Sequence, residues 1–459
     1  MFIKKSLNFL FIISIVFFIN NNVHCAEDTA GSSFDNETNG ESLEHKGSLM
    51  ITTDPLDAKV YVNNELKAEK SPVELRNIPS DTYLIKIEKD GYVTVIKKAV
   101  VIENNTIQKN ISLIPEKTWP FYKYDNNRTS NIPINKNIKP PFKLKFKVSC
   151  GTEIRSSPVV DRGIIYIGSN DKYFYAIEIE TGKIKWKFKA ENNFLGTAAV
   201  LDNVVYVGDE SGFLYALSCV DGKVIWNFFT EEAISSAPVI HRTSLYISCF
   251  DSTLYSLDAQ TGGLRWKYKT SGKMWGAPCI FDMGVLVGTI NNDMYALRED
   301  DGSILWRFTG EGGITSTPAA NDNFIFVGAQ NNSVYALDVK NGNIKWSYRT
   351  SGGINSSPAI DSTNIYIGSD DNNLYSLTQN RGELKWAVST LGNITSAPVV
   401  GGGYVYFGSW DKNLYAVEAA SGGVIWNYST DGAILSSPVL ISNYLIFAST
   451  DGNVYIMEK

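Results

Sequence analysis

Apolar and polar side chains alternate along most of the chain, in short runs rather than in long amphipathic segments. One unit, beginning near residue 154, contains four such runs: SSPVV, IIYIGS, YFYAIEI and KIKWKFKA. Turn-forming residues such as Thr181 and Gly182 separate the runs. Apolar positions that follow a period of two rather than 3.6 predict β-strands and exclude a helical solenoid. We therefore expect an all-β protein.

The four-run unit repeats every 40 residues without insertion or deletion. Seven units share a tryptophan and eight share a tyrosine, at Trp186, Trp226, Trp266, Trp306, Trp346, Trp386 and Trp426, and at Tyr175, Tyr215, Tyr255, Tyr295, Tyr335, Tyr375, Tyr415 and Tyr455. A repeat of about 40 residues with four strands is typical of a β-propeller blade. The sequence predicts an eight-bladed β-propeller over residues 143–459.

The eighth unit ends after its third predicted strand, and a matching fourth strand lies at the other end of the repeat region. Residues 143–148 (KLKFKV) occupy that register, with Phe146 forty residues before Trp186. Pairing this N-terminal strand with the last unit closes the ring and removes two open sheet edges. We expect the propeller to close in this way.

Two consecutive positions at the start of each predicted innermost strand carry only small side chains. They are Ser156, Gly196, Ser236, Gly276, Ser316, Ser356, Ser396 and Ser436, followed by Ser157, Thr197, Ala237, Ala277, Thr317, Ser357, Ala397 and Ser437. Strands that crowd around one axis require small side chains, so ring closure explains these serines without a nucleophile. The repeated aromatic residues are interpreted as packing between blades. The Asp/Asn series that begins at 171 is interpreted as turn chemistry, from which only Ser211 departs.

The chain changes character several times before the repeats. Residues 1–25 indicate a signal peptide, and the residues around Cys25 leave open both cleavage after it and a lipid anchor on it. Residues 26–46 are polar and acidic and predict a flexible linker. Residues 47–115 show short alternating runs that predict a small β-sandwich, and residues 116–142 form a connecting leader. We expect an exported protein of the periplasm or cell surface.

Two stretches resemble known families. The strings GSLMITTDPLDAKVYVNN, SPVEL and TYLIKIEKDGY are similar to the PEGA domain, a small β-sandwich of envelope and surface-layer proteins, although Asp57 and Asn64 stand where that family usually has glycine. The strings AIEIETGKIKW, SLDAQTGGLRW and ALDVKNGNIKW resemble the repeat of pyrroloquinoline-quinone (PQQ) type propellers, and residues 119–129 resemble the leader of that superfamily. Its members include quinoprotein dehydrogenases, which use PQQ and calcium, and non-catalytic proteins such as the outer-membrane assembly factor BamB. The resemblance implies the fold more strongly than the function.

The sequence offers no clear enzymatic site. The resemblance implies adjacent cysteines and calcium ligands for a dehydrogenase, but the cysteines after the predicted signal peptide are isolated, at Cys150, Cys219, Cys249 and Cys279. The only histidines are His24, His45 and His241, too few for a Ser-His-Asp triad or a His-based metal site in the propeller. The net charge of −6, with scattered basic residues, argues against nucleic acid. We expect no catalytic residue, no cofactor and no bound metal.

Positions that break the repeat predict a binding surface. The loops entering each innermost strand, and those joining the second and third strands, are expected to surround the channel mouth on one face. Their residues are mostly polar, and the large apolar exceptions are Leu195, Phe250, Trp275 and Ile290 in units two to four and Trp410 in unit seven. A grouped apolar patch favours an interaction site, unless these side chains fold back onto the blades or cover the channel.

The sequence therefore favours a non-catalytic exported propeller that binds an envelope protein or a surface polymer, in the manner of a scaffold similar to BamB. Proximity to a membrane would then come through the partner, and the oligomeric state is left open. Two alternatives stay in place: a PQQ-dependent quinoprotein dehydrogenase and a cell-surface carbohydrate-binding protein.

Overall fold

The computed structural model describes residues 46–54, 56–90, 92, 94–113, 120, 122–123, 125, 129–130 and 139–459. The predicted signal peptide with Cys25, and the linker up to His45, lie outside these residues, as do Trp119 and Arg128 of the leader. The regular structure of the described part consists of 39 β-strands. Within that part, no helix is long and apolar enough to span a membrane.

The first seven strands form two sheets around one small core. They are β1 (Lys46–Asp54), β2 (Lys59–Val62), β3 (Glu65–Ala68), β4 (Val73–Pro79), β5 (Thr82–Glu88), β6 (Val95–Val100) and β7 (Thr106–Ser112). The strand orders are β4-β1-β7 and β3-β2-β5-β6. Leu49 and Ile51 from the first sheet, and Val60 and Ile87 from the second, are fully buried in a shared core. The predicted β-sandwich is confirmed, and its first strand begins at Lys46, one residue before the predicted domain.

The remaining strands form eight four-stranded sheets, one for each predicted blade. The strand that precedes the repeats is β8 (Lys143–Ser149). Blades one to four contain β9 (Val159–Asp161), β10 (Ile164–Gly168), β11 (Tyr173–Glu178), β12 (Ile184–Lys189), β13 (Ala199–Leu201), β14 (Val204–Gly208), β15 (Phe213–Ser218), β16 (Val224–Phe229), β17 (Val239–His241), β18 (Ser244–Ser248), β19 (Thr253–Asp258), β20 (Leu264–Lys269), β21 (Cys279–Phe281), β22 (Gly284–Gly288), β23 (Asp293–Leu297) and β24 (Ile304–Thr309).

Blades five to eight follow the same plan. Their strands are β25 (Ala319–Ala320), β26 (Phe324–Gly328), β27 (Ser333–Asp338), β28 (Ile344–Arg349), β29 (Ala359–Ile360), β30 (Asn364–Gly368), β31 (Asn373–Thr378), β32 (Leu384–Ser389), β33 (Val399–Gly401), β34 (Tyr404–Gly408), β35 (Asn413–Glu418), β36 (Val424–Ser429), β37 (Val439–Ile441), β38 (Tyr444–Ala448) and β39 (Asn453–Glu458). In the first seven blades, consecutive strands pair from the innermost to the outermost. The predicted eight-bladed propeller is confirmed.

The ring closes as predicted, because β8 pairs antiparallel with β39 and becomes the outermost strand of blade eight. Phe146 lies opposite Ile456, just as Trp186 lies opposite Ala176 in blade one. A Cβ atom placed on Gly182 of blade one would come within 2.7 Å of the Phe146 ring. Phe146 therefore fills the place of the missing eighth tryptophan.

The seams between successive blades from one to seven each use a tryptophan and a glycine. At the first of them, a Cβ atom on Gly222 would lie 2.6 Å from the Trp186 ring, and Gly222 has a φ of +71° that other residues rarely adopt. The indole Nε1 of Trp186 donates to the carbonyl oxygen of Cys219 at 3.0 Å. This contact recurs at the five following seams, which explains why the Trp and Gly series share one period.

The hydroxyl groups of the innermost strands also link neighbouring blades. The Ser157 N–H donates to the hydroxyl of Thr197 at 3.0 Å, and the Ser437 N–H donates to the hydroxyl of Ser157 at 2.8 Å across the closing seam. The same bond forms at three more seams, in each case to a serine or threonine. Ring geometry thus accounts for these hydroxyl groups.

The turn acids bond to the repeated tyrosines. Asp171 accepts hydrogen bonds from the Tyr173 N–H and from the Tyr175 hydroxyl. In blade two, where Ser211 replaces the acid, the buried Asp209 accepts from the Ser211 N–H at 3.0 Å and from the Tyr215 hydroxyl at 3.3 Å. A carboxylate two residues earlier thus compensates for the exception in the Asp/Asn series.

Candidate functional site at the channel mouth

A cavity of about 480 Å³ lies where the innermost strands of the eight blades begin. Every blade contributes to its wall, including Leu195 of blade two, Trp275 of blade four and Asn355 of blade six. The loop residues that were predicted to enter the strands at the channel mouth therefore share one cavity. Small hydroxyl side chains such as Ser157 and Thr317 line it between the larger residues.

The leader forms the floor of this cavity. Its carbonyl groups accept backbone hydrogen bonds from three innermost strands, namely Val200 to Pro120 (2.8 Å), Ile360 to Thr129 (2.8 Å) and Val400 to Ser130 (3.0 Å). Tyr122 contributes to the cavity wall, and the buried ammonium group of Lys123 donates to the carbonyl oxygen of Pro358. These strand residues lie further along the innermost strands than the mouth loops, so Pro120, Thr129 and Ser130 lie below the cavity. Sequence analysis gave the leader no such role.

An apolar cluster occupies one side of the mouth. The rings of Phe250 and Trp275 pack with their centroids 4.6 Å apart and an interplanar angle of 59°. Trp275 is 50% exposed and lines the cavity together with Leu195, and Ile290 of the same blade is 38% exposed. The structure thus brings Phe250 and Trp275 into contact and leaves Trp275 half open to solvent, so this ring is not part of the blade core.

Trp410 lies in blade seven, apart from that cluster. Its indole Nε1 donates to the hydroxyl of Thr395 at 2.9 Å, and the side chain is 48% exposed. A neighbour that sequence analysis missed is Leu391, which is 91% exposed. A Cβ atom on the adjacent Gly392 would come within 3.1 Å of the Trp410 Cβ. Leu391 also breaks its repeat series, whose other members are Gly151, Glu191, Glu231, Ser271, Glu311, Ser351 and Asp431.

Blades five and six provide a polar wall. Gln330 donates to the hydroxyl of Thr315 at 3.0 Å and to the side-chain oxygen of Asn355, which in turn donates to Asp370 at 2.8 Å. The second carboxylate oxygen of Asp370 is buried and, among the described atoms, has no hydrogen-bond partner. Burial raises the pKa of this carboxyl group. The hydroxyl oxygen of Ser235, in the cavity wall, is also buried and has no hydrogen-bond partner among the described atoms.

The cavity does not suit the quinone of the dehydrogenases. PQQ is a flat molecule with several carboxylates, and a site for it needs cations. Arg155 is the only cation among the described residues of the cavity wall, and its guanidinium already bonds to Glu153 at 2.9 Å. In the described part of the chain, no group of three or more His, Cys, Asp or Glu residues could hold a metal ion. The free cysteines Cys150, Cys219, Cys249 and Cys279 are all buried.

Solved structures share the fold at low sequence identity. BamB from Moraxella catarrhalis matches 70% of this chain and 100% of its own, with a TM-score of 0.62 and 19% identity. The quinohemoprotein alcohol dehydrogenase from Comamonas testosteroni matches 74% of this chain and 80% of its own, with a TM-score of 0.66 and 16% identity. The computationally designed Ika8 protein matches 70% and 100%, with a TM-score of 0.62 and 16% identity. Because an enzyme and a designed protein both share it, the fold alone assigns no function.

Sequence families give a closer assignment. None of the curated proteins matches the chain significantly. Residues 46–117 match the PEGA domain, which confirms the resemblance seen in the first β-rich region. Residues 142–274 and 250–459 match the family described as outer membrane protein assembly factor BamB, and together these stretches span the propeller and more than half of the chain. The chain therefore belongs to the BamB family of PQQ-like repeat propellers and carries a PEGA domain before its propeller.

Proposed function

We propose that this protein is a non-catalytic scaffold of the cell envelope, which binds a partner protein at the mouth of its propeller. The contact between Phe250 and Trp275, with Leu195 and Ile290 in neighbouring mouth loops, is the observation that carries the proposal. The equivalent residues of most other blades are polar, so the repeat itself does not require large apolar side chains there. Membership of a family described as an outer-membrane assembly factor supports a location in the periplasm or at the cell surface.

The geometry of the cluster suits a protein interface. A half-exposed tryptophan packed against a phenylalanine presents a large apolar area in a fixed orientation, so little side-chain freedom is lost when a partner covers it. Burial of apolar area contributes about 25 cal/mol per Å². Residues of this type, surrounded by a polar rim, are typical of the few positions that dominate binding energy at interfaces.

A double substitution tests this function. The tagged mature protein and its Trp275→Ala, Phe250→Ala variant are used to recover partners from a detergent-solubilised envelope fraction, and the recovered proteins are identified by mass spectrometry. We expect the variant to lose the specific partner while its melting temperature stays within about 3 °C of the unsubstituted protein, because Trp275 is half exposed and Phe250 is not fully buried. Equal recovery of the same proteins by both forms would contradict the proposal.

A matched control removes apolar side chains elsewhere on the propeller. Leu264 and Ile344 are exposed at the start of outermost strands, on the side of their blades away from the mouth loops. The Leu264→Ala, Ile344→Ala variant should recover the partner normally. Strong destabilisation of the Trp275 and Phe250 variant without a binding defect would show that the cluster belongs to the core.

A carbohydrate-binding function is the second candidate, supported by the polar wall. Gln330, Asn355 and Asp370 form a fixed amide and carboxylate network beside exposed tryptophans, and such groups suit neutral sugars. Recovery of glycans instead of a protein, lost on Asn355→Ala, would favour this candidate.

A further inference from the structure

We infer that the partner segment recognised at the mouth carries large apolar side chains flanked by lysine or arginine. This inference rests on the proposed function and specifies the chemistry of the partner. It is drawn from the charged residues that surround the apolar cluster, and the occupant to which it commits is a segment of another protein.

Acidic side chains surround the apolar cluster. The mouth loops of blades two to five contain five carboxylates that are exposed or half-exposed, namely Glu191, Glu210, Glu231, Glu232 and Glu311. The only basic residue in the same loops (190–195, 209–212, 230–235, 249–252, 270–275, 289–292 and 310–315) is Lys273. Its ammonium group lies 2.6 Å from Glu232 and 5.8 Å from the centre of the Phe250 ring. Lys273 therefore neutralises one of the five carboxylates, while Lys172 and Lys269, which flank these loops, donate to the backbone carbonyl oxygens of Glu191 and Asp251 rather than to a carboxylate.

The other carboxylates are available to a partner. Within the described part of the chain, Glu191, Glu210, Glu231 and Glu311 form no ion pair. Elsewhere on this face the pattern differs, because Ser351 and Leu391 occupy the repeat position of Glu191, Glu231 and Glu311 in the loops that enter blades six and seven. At the same position Asp431, in the loop that enters blade eight, is also acidic but is paired with Lys147 at 3.0 Å, so the unpaired acids of this series lie in the loops that enter blades two, three and five.

Charge complementarity then selects the partner. Acidic groups next to one another repel in the free protein, and a partner with cationic side chains relieves that repulsion when it binds. An acidic segment or an anionic lipid surface would meet the same field as a penalty. The apolar cluster takes up large apolar side chains, while the carboxylates around it select lysine or arginine on either side of them.

The test uses two defined peptides and the full mature protein. Both peptides have capped ends and a fluorescent label; one has the sequence KKGLWLGKK and the other EEGLWLGEE. Binding is measured by fluorescence polarisation at 50 and 500 mM NaCl. We expect the basic peptide to bind at least tenfold more tightly than the acidic one at the lower salt, and its affinity to fall at least fivefold at the higher salt, because salt screens exposed charges.

Two triple variants locate the effect. Glu191→Gln, Glu231→Gln, Glu311→Gln should remove most of the preference for the basic peptide. The control, Asp202→Asn, Asp300→Asn, Asp322→Asn, changes the net charge equally at exposed turns on the opposite side of the blades and should keep the preference. Equal binding of the two peptides, no binding of the basic peptide, or an unchanged preference in the mouth variant would overturn the inference.

The same data separate this inference from the proposed function. Trp275→Ala with Phe250→Ala should abolish binding of the basic peptide and recovery of the envelope partner. If the partner is lost with that variant while the basic peptide shows no preference, the mouth is a binding site for a partner of different chemistry. If the variant keeps the partner, the proposed function itself is wrong.

Discussion

The seams between blades and the mouth of the channel belong to the same repeat, but the seam residues are kept from blade to blade whereas the mouth residues vary. Six seams use the same Trp–Gly contact and the same indole hydrogen bond. At the mouth, one repeat position holds Asn355 in blade six and Trp275 in blade four. In a repeat protein, positions that contact the neighbouring repeat keep the same residue type in every repeat. Positions that make no such contact can vary, and they are therefore available for binding a partner.

Blade two shows that the repeated framework preserves a bond within the blade rather than a residue. The tyrosine of each blade needs a polar partner for its hydroxyl, and Asp171 provides it in blade one. Asp209 provides it in blade two from a position two residues earlier. An exception inside the framework is therefore compensated within a few residues, whereas Trp275 at the mouth has no such compensation and stays half exposed, with Phe250 packed against it.

Removing the closing strand should break the framework altogether. Deletion of residues 143–149 leaves β39 as an open edge and exposes one side of blade eight, so we expect aggregation or loss of cooperative unfolding. Phe146→Ala alone should cost about 3 kcal/mol, because it leaves a cavity over Gly182. Lys143→Ala, at an exposed position of the same strand, should change nothing. Size-exclusion chromatography and calorimetry distinguish these outcomes, and a monomeric deletion variant with an unchanged melting temperature would refute closure by β8.

Exchanging Asp209 and Ser211 in blade two tests whether the carboxylate can bond to the tyrosine from either position. Asp209→Ala should destabilise the protein by about 3 kcal/mol, because buried donors from Ser211, Phe213 and Tyr215 lose their acceptor. Ser211→Ala should cost less than about 1 kcal/mol. The exchange Asp209→Ser with Ser211→Asp restores the arrangement of blade one and should recover most of the loss in chemical denaturation. An exchange variant as unstable as Asp209→Ala would show that the two positions are not equivalent.

Acid should weaken the same tyrosine bonds in several blades. Burial opposes ionisation of Asp371 and Asp451, but hydrogen bonds from Tyr375 and Tyr455 and from nearby groups outweigh it and lower the pKa of both carboxyl groups. A lowered pKa stabilises the fold above the unfolded value of about 3.9, and this stability is lost as the pH falls through the folded pKa. The melting temperature should therefore drop below about pH 4.

Tyr455→Phe provides the matched variant for this pH effect. It should cost about 1 kcal/mol at pH 7 and make the drop below pH 4 shallower, since Asp451 loses the bond that lowers its pKa. Thermal melts at pH 7, 4, 3 and 2.5 measure both effects. A steeper drop in the variant would contradict the role given to this bond.

The smallest effect is expected from the cofactor of the related dehydrogenases. Added PQQ with calcium should leave the melting temperature unchanged, because a ligand shifts stability only when it binds the folded state. The purified protein should also show no quinone absorbance. A calcium-dependent rise in melting temperature would make the quinoprotein dehydrogenase the leading interpretation of the mouth.

The propeller could be predicted because the residues that specify each blade recur every 40 positions. Trp186 and its equivalents, together with Phe146, fixed the number of blades and the closing strand without any three-dimensional data. The mouth was predicted from the positions that depart from the repeat, and two of them, Phe250 and Trp275, lie in contact. Leu391 carries the same signal, since it is a large apolar residue at a repeat position that is otherwise small or polar.

The leader and the compensation in blade two could not be predicted in this way. The leader occurs once, so no self-comparison shows that Tyr122 lines the cavity or that Lys123 is buried in the channel. Asp209 is the only acid at a repeat position that elsewhere holds Ser, Cys, Thr or Ala, but its bond to the Tyr215 hydroxyl depends on where that hydroxyl points after folding. Contacts that depend on tertiary geometry, rather than on period, require the structure.

The pairing of β8 with β39 also sets the order of events during folding. Lys145 bonds to Glu458, 313 residues further along the chain, so this contact forms only after every blade has been synthesised. Blades one to seven each pair their own four strands and can form as the chain emerges, whereas β8 must wait beside the growing ring with its apolar side chains uncovered. Long-range pairing of this kind is slow and exposes intermediates to aggregation. A chaperone that shields β8 until β39 arrives would accelerate the final step without contacting the mouth at all.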